Sequence, residues 1–228
     1  MKVLGIDTST RTMSIALLED EKILGEMNFY SNMDHSEKLV ENIKFLLESN
    51  QIMPKDLDII SVAIGPGSFT GIRIGIATAM GISDFKNIGT VGISSLETLA
   101  FNFSNEDEVA ICVDAKRNEV YGAIYNFKEN TYIEDLYDFE EFLEILNSHK
   151  NIVIAGDMID KIKYLKDDYF RYADSQNNLN RAINLCLIAK DRFEKYGEEA
   201  FVKLEANYLT KSQAERDIEK KNNNDKRS

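Results

Sequence analysis

The chain has 228 residues, of which 43% are hydrophobic and 29% are charged, with two prolines and no tryptophan. This composition is typical of a globular protein and excludes a long proline-rich linker. The formal net charge of −12 disfavours tight nucleic-acid binding by the chain alone, because such binding depends on Lys and Arg contacts to phosphate. No apolar run is long enough to span a membrane.

The two cysteines, Cys112 and Cys186, lie in apolar stretches and are predicted to be buried free thiols. A disulfide framework would need more cysteines and an oxidising compartment. The first predicted strand begins at Lys2, so we expect no signal peptide before it. These features predict a cytoplasmic protein that does not associate with membranes.

The first half of the chain predicts three strands, followed by alternating helices and strands. The segments KVLGIDT, MSIALLE and KILGEMNF have strand patterning. A helix is predicted over about 35–49 from its apolar spacing. The segment DIISVAI then predicts a buried strand that ends at Gly-Pro-Gly, and a second helix is predicted over about 69–83. A short strand, IGTVGI, and a helix starting near 94–95 complete this half.

The second half repeats this order in reduced form. EVAICVDA and EVYGAIY predict two strands, followed by a helix over about 138–147, the strand NIVIAGD and a helix over about 179–196. Two β-β-β-α-β-α units in tandem are the plan of the actin-like ATPase (ASKHA, ribonuclease H-like) fold, and a generic α/β sandwich is the alternative. We therefore predict an α/β protein with an N-terminal lobe over 1–105 and a smaller C-terminal lobe over 106–210. Residues 211–228 are polar and are predicted to be a disordered tail.

The segment GPGSFTGIR, residues 65–73, lies between an apolar strand and a helix. Its glycines permit backbone angles that other residues avoid, and Ser68 or Thr70 can cap the helix. Because a helix N-terminus favours an anion, one interpretation is a phosphate or carboxylate site that includes Gly67, Ser68 and Arg73. The other interpretation is a tight strand-to-helix turn with a good cap. The Gly-Lys-Ser/Thr ending of a Walker loop is missing.

Two turns, at 7–11 and 114–118, stand where actin-like ATPases hold the phosphates of ATP. Neither turn contains glycine, so side chains would keep phosphates at a distance. Asp7 and Asp114 nevertheless stand where carboxylates would contact a metal-bound phosphate. Weak or interfacial nucleotide binding is therefore kept as an alternative to the interpretation as solvated turns. The candidate nucleotide contacts in these turns are Asp7, Thr8, Ser9 and Asp114.

The second predicted helix carries no charged residue from Ile74 to Ser83, and a helix that is apolar on several faces must be buried on several faces. A stripe of small residues recurs every four positions along it, which allows close approach of another element. This stripe packs either inside the lobe or against another subunit. We predict a partner interface formed by both helices of this lobe. Its members are His35, Leu39, Ile43, Leu46, Gly71, Ile72, Gly75, Ile76 and Ala79.

The motif GPGSFTGIRIG, preceded by GIDTST and followed by GISSLETLA and DAKRNEVYGA, is similar to motifs of the TsaB (YeaZ) family. The resemblance is specific from residue 1 to about 125 and continues more loosely to 209. It implies the actin-like fold and a place beside the catalytic subunit TsaD and the ATPase TsaE. That complex forms N6-threonylcarbamoyladenosine next to the anticodon of tRNA, with a donor made by a separate enzyme, TsaC. The resemblance implies a non-catalytic activating subunit, a homodimer when alone, that meets tRNA only through the complex.

The catalytic relatives bind a metal through a His-x-x-x-His pair at the start of the first long helix. Here the corresponding helix has His35 followed by Leu39 at the partner position, and His149 is the other histidine. We therefore predict no metal site, no catalytic residue and no firmly bound cofactor. The main alternative is a small-molecule kinase or ATPase of the actin-like fold. A metallopeptidase is disfavoured by the missing ligands, and Ser68 has no histidine near it in sequence to make it a nucleophile.

Overall fold

The structure, a computed structural model, describes residues 1–30, 35–84, 88–164 and 170–209, and only the backbone of 35–37. The predicted tail over 211–228 lies outside these ranges. The strands of the first sheet are β1 (Lys2–Asp7), β2 (Thr12–Glu19), β3 (Lys22–Tyr30), β4 (Ile59–Gly65) and β5 (Gly89–Ser94). Those of the second sheet are β6 (Glu108–Lys116), β7 (Glu119–Asn126), β8 (Thr131–Asp138), β9 (Val153–Ala155) and β10 (Arg171–Tyr172). The α-helices are α1 (His35–Ser49), α2 (Phe69–Ser83), α3 (Ser95–Ala100), α4 (Phe139–Asn147), α5 (Ile159–Lys163) and α6 (Ala182–Tyr196).

The two sheets have the same topology. In the first, β1, β2 and β3 pair antiparallel, while β4 and β5 continue parallel from β1, which gives the order β3-β2-β1-β4-β5. In the second, the order β8-β7-β6-β9-β10 repeats these directions strand for strand. This duplication confirms the predicted actin-like fold. It also shows that the second repeat is complete rather than reduced, because β8 supplies the third strand that the sequence pattern did not reveal.

Helices α1 and α2 cover one face of the first sheet, and α6 covers the other. After α6, residues 201–209, here called the C-terminal strap, run along the edge of the same sheet. The backbone N–H of Val202 donates to the Thr90 carbonyl at 2.9 Å, and that of Asn207 donates to the Ile64 carbonyl at 2.8 Å. The predicted second lobe over 106–210 is therefore too long, because α6 and the strap belong to the first lobe.

Most residues predicted to form the partner interface lie in the core of the first lobe, and that part of the prediction is wrong. The aliphatic members are at most 9% exposed: Leu39, Ile43, Leu46, Ile72, Ile76 and Ala79. A Cβ atom added at Gly71 would lie 1.9 Å from the Thr8 carbonyl oxygen, and one at Gly75 would lie 2.6 Å from Thr8 Oγ1. The small-residue stripe therefore faces β1 and the loop after it. The side chain of His35 lies outside the described residues.

Contact between the lobes includes the carboxylate of Glu134 on β8. It accepts hydrogen bonds from Ser94 Oγ and from the Tyr125 hydroxyl, both at 2.8 Å. Burial raises the pKa of Glu134, the two hydrogen bonds oppose that rise, and the nearby Glu97 carboxylate adds to it. The folded state therefore holds a proton at pH values where the unfolded chain has lost it. Stability contributed at this site consequently falls as pH rises through the raised pKa.

We predict that Gly75→Leu lowers the free energy of unfolding by about 1–3 kcal/mol or more, because the new side chain overpacks the contact with Thr8. Gly81→Ala is the matched control, since a Cβ atom there meets nothing within 4 Å. This control should raise the free energy of unfolding by up to about 1 kcal/mol through helix propensity. Urea denaturation measures both. Wild-type stability of Gly75→Leu combined with lost partner binding would restore the original interface assignment.

We also predict a pH-dependent effect of Glu134→Gln. The free energy of unfolding of the wild type, relative to this variant, should increase as pH falls through the raised pKa of Glu134, because only the wild type takes up the extra proton. Denaturant titrations at several pH values measure the difference. Glu144→Gln, which replaces an exposed carboxylate on α4, is the control for the loss of one negative charge. An identical trend in both variants would contradict the prediction.

Candidate functional site

The loop after β1 is held tightly against the start of α2. The backbone N–H of Ser68 donates to the Ser9 carbonyl at 2.7 Å, and Thr8 Oγ1 donates to the Gly71 carbonyl at 2.7 Å. Asp7 Oδ1 accepts from the backbone N–H and the hydroxyl of Ser9 at 2.8 and 2.6 Å. As a result, Asp7, Thr8 and Ser9 are at most 1% exposed. A nucleotide cannot touch these three side chains here, which contradicts that part of the prediction.

The turn between β4 and α2 packs closely against the loop after β1. Gly65 has φ +109°, a conformation that favours glycine, and the Gly65–Pro66 peptide is cis. A Cβ atom at Gly67 would lie 2.4 Å from the Ser9 carbonyl oxygen. Ser68 caps α2, because its Oγ accepts from the Gly71 N–H at 3.2 Å. These contacts favour the interpretation as a capped tight turn over that of an open phosphate cradle.

Asn180, just before α6, joins several parts of this region and was missed by sequence reasoning. Its side-chain amide donates to Asp7 Oδ2 at 3.2 Å and to the Ser95 carbonyl at 2.8 Å. The Ser95 hydroxyl in turn donates to the Pro66 carbonyl. Asn180 is 6% exposed. A polar residue is common just before a helix, so nothing in the local pattern indicates a contact across 173 residues.

Asp114 lies at the corresponding place in the second lobe. Its Oδ1 accepts from the backbone N–H of Lys116 at 2.9 Å, and its Oδ2 pairs with Lys116 Nζ at 2.5 Å. The Lys116 ammonium group holds the pKa of this carboxyl below its ordinary value. The backbone N–H of Asp114 donates to Asp157 Oδ1 at 2.8 Å. These bonds lie within the second lobe, and the carboxylate is already paired with a cation.

Among the residues predicted to contact an anion, Arg73 is exposed and its guanidinium group is held by two aromatic side chains. Its guanidinium carbon lies 3.7 Å from the centroid of the Phe69 ring, and its Nε donates to the Tyr208 hydroxyl at 2.9 Å. The rings of Phe69 and Tyr208 stack with centroids 4.8 Å apart. We call this group of three residues the arginine clamp. Sequence reasoning missed Tyr208 because it lies 135 residues away from Arg73, in the C-terminal strap.

The outward side of α2 is exposed and carries one charge. We call its residues the outer α2 face: Thr70, Arg73, Ile74, Ala77, Met80 and Gly81. Met80 is 40% exposed, and on the neighbouring helix α1 the side chains of Val40 and Phe45 are 59% and 60% exposed. Exposed apolar side chains on adjacent helices make this side of the lobe a candidate interaction surface. The second small-residue pair, Ala77 and Gly81, lies on this side, opposite the stripe that packs on the sheet.

The two thiols are buried and free, as predicted. Burial raises the pKa of both Cys112 and Cys186, so neither is activated as a nucleophile. Among the described residues, no group of three or more His, Cys, Asp or Glu side chains is placed to hold a metal ion. No helix within the described ranges has the length and apolarity needed to cross a bilayer.

Comparisons with known proteins agree with these motifs. Residues 30–170 match the family model described as "TsaD: tRNA N6-adenosine threonylcarbamoyltransferase". The chain is 39% identical over 129 residues to the tRNA threonylcarbamoyladenosine biosynthesis protein TsaB of Bacillus subtilis (strain 168), an alignment that covers 56% of each chain. It is 30% identical over 186 residues to the protein of the same name from Buchnera aphidicola subsp. Schizaphis graminum, covering 80% of this chain and 83% of that relative. The match thus spans little more than half the length of the Bacillus relative.

A solved structure supports the fold. The crystal structure of an uncharacterized protein with similarity to peptidase YEAZ, from Pseudomonas aeruginosa, superposes with a TM-score of 0.73 at 22% identity. It covers 90% of this chain and 99% of that one. The family model matches more than half of the chain, and the chain covers most of the Buchnera relative. The chain therefore belongs to the TsaB (YeaZ) family, within the wider group that the TsaD family model describes.

Proposed function

We propose that this protein is the non-catalytic, activating subunit of a complex that forms N6-threonylcarbamoyladenosine on tRNA in the cytoplasm. The observation that supports this most directly is membership of a family whose curated relatives are named tRNA threonylcarbamoyladenosine biosynthesis proteins. A TsaD-like subunit performs the transfer, a TsaE-like ATPase joins the complex, and tRNA is bound through the assembly. The net charge of −12 fits a subunit that does not bind tRNA tightly by itself.

The surroundings of Asp7 and Asp114, the two candidate carboxylates for nucleotide binding, support a non-catalytic role. Asp7 is buried beneath its own loop, and Asp114 is paired with Lys116. The buried Asp7 is not open to a metal-bound phosphate, which a kinase of the actin-like fold would need. The alternative function as a small-molecule kinase is therefore less well supported than the role of a partner subunit.

The outer α2 face is the proposed contact with the TsaD-like partner. Ala77 and Met80 are exposed on this face and Ile74 is half-buried, whereas the inward stripe packs against β1 and the loop after it. Two such helices from each of two related lobes can form a four-helix bundle that buries all four apolar faces. A second copy of this chain can use the same surface, so the isolated protein forms a homodimer that competes with the partner.

The first prediction from this proposal concerns activity. Purified TsaC-, TsaD- and TsaE-like proteins from the same host should modify tRNA efficiently only when this chain is added, because it activates the TsaD-like subunit. Mass spectrometry of digested tRNA nucleosides measures the product. The chain alone should give no product. Full modification without the chain, or steady ATP-dependent phosphorylation of a small molecule by the chain alone, would contradict the proposal.

The second prediction concerns the partner surface. Ala77→Glu should weaken binding to the TsaD-like partner by at least about tenfold, because it places a carboxylate in an apolar contact, where it can also pair with Arg73 one turn earlier and occupy its guanidinium group. The free energy of unfolding should change little, since Ala77 is exposed. Calorimetric titration measures the affinity. Tyr164→Glu is the matched control, because Tyr164 is 86% exposed in the second lobe. Equal binding by both variants and the wild type would exclude the outer α2 face as the contact.

A further inference from the structure

We infer that Arg73 is a preset anchor for a carboxylate of the TsaD-like partner, an inference that rests on the proposed function. The arginine clamp fixes the guanidinium group before any partner arrives. The Phe69 ring supports one side of it at 3.7 Å, and the Tyr208 hydroxyl accepts from Nε at 2.9 Å. The Tyr208 ring stacks on Phe69, so both supports are themselves held in place.

The clamp leaves the outer edge of the guanidinium group for a ligand. Within the described part of the chain, Nε has a hydrogen-bond acceptor in Tyr208, and none is found for Nη1 or Nη2. These two nitrogen atoms form the planar fork that matches a carboxylate with two parallel hydrogen bonds. Because the side chain is already ordered, less conformational entropy is lost when the ligand binds.

The surroundings of Arg73 indicate a protein carboxylate rather than an RNA phosphate. Arg73 is the one charged residue of α2, and its neighbours on the outer α2 face are Ile74, Ala77 and Met80. Burying this cation against an uncharged surface would be costly, so the partner must supply an anion at this point. A phosphate backbone is instead recognised by several cations along a stripe, which an apolar face with one arginine does not provide.

A second copy of this chain offers Arg73 no acidic side chain on α2 from Phe69 to Ser83. The carboxylates that a homodimer bundle could bring to Arg73 are those of α1, where Glu41 and Glu48 are exposed. Comparing the loss of partner binding with the loss of self-association therefore tests which of the two associations uses the anchor.

Tyr208 is a positioning residue in this arrangement. It belongs to the C-terminal strap, which is tied to the sheet through Val202 and Asn207. The strap thereby brings a hydroxyl group from the end of the chain to the start of α2. Tyr208→Phe keeps the ring stack and removes the acceptor for Nε, so it tests the preset orientation of Arg73 without removing the cation.

The test measures affinity for the purified TsaD-like partner of the same host by calorimetry at about 50 and about 300 mM NaCl. Arg73→Met should weaken binding by about 30-fold or more, as expected when one member of a desolvated ion pair is removed. Arg73→Lys, which keeps the charge and loses the fork, should weaken it by about tenfold, and Arg73→Glu should be worse than Arg73→Met. Tyr208→Phe should cost about threefold. The affinity of Arg73→Met should depend less on salt than that of the wild type.

Three results would overturn the anchor. The first is binding of Arg73→Met within about threefold of the wild type, and the second is a loss that does not change with salt. The third is an equal loss of self-association, measured by sedimentation, which would make Arg73 a general packing residue.

Ala77→Glu separates this inference from the proposed function. If Ala77→Glu abolishes binding while Arg73→Met binds normally, the partner surface stands and the anchor fails; if neither variant matters, the partner surface itself fails. Should Arg73→Met unfold, Arg73→Lys, which keeps a cation over Phe69, decides the question.

Discussion

The packing of the loop after β1 on the start of α2 determines much of what this molecule can do. Thr8 and Ser9 each bond to the backbone of the α2 start, and Gly71 permits the approach because any side chain there would meet the Thr8 carbonyl. This contact buries the side chains of Asp7, Thr8 and Ser9. It also sets the rotation of α2 about its axis, and so determines which of its sides meets the sheet and which meets solvent.

Local patterns in the sequence predicted the elements of the first lobe well. The predicted bounds of α1 and α2 agree with the structure, because each helix has a clear apolar period and α2 is preceded by Gly65-Pro66-Gly67 and capped by Ser68. The second lobe was predicted less completely. Strand β8 is an edge strand with mostly exposed or half-buried side chains, including Tyr132 at 68% exposure, so it lacks the buried apolar run that revealed β6. An edge strand needs to bury only part of one face, and its sequence is correspondingly less informative.

The partner surface shows where sequence reasoning reaches its limit. Helix α2 carries two rows of small residues, one through Gly71, Gly75 and Ala79 and another through Ala77 and Gly81. Both rows are compatible with close packing, and nothing in the spacing says which one faces the sheet. The prediction chose the first row for the partner, whereas the structure uses it against Thr8 and Val62. The deciding contact comes from a loop more than sixty residues earlier in the chain, which no local period can report.

Two residues that connect the elements of the candidate site lie after the second lobe in the sequence. Asn180 bonds to Asp7 and Ser95, and Tyr208 bonds to Arg73, so both α6 and the C-terminal strap return to the region where α2 begins. Both the core of the first lobe and the orientation of Arg73 depend on segments that follow the whole second lobe, because α6 covers one face of the first sheet and the strap carries Leu204 into the core. The proposed recognition of a partner at α2 therefore depends on the strap as well as on the helix itself. A chain lacking the strap would lose the hydroxyl group that orients the one charged residue of α2, and with it the core contacts of Leu204 and the two backbone hydrogen bonds to the sheet.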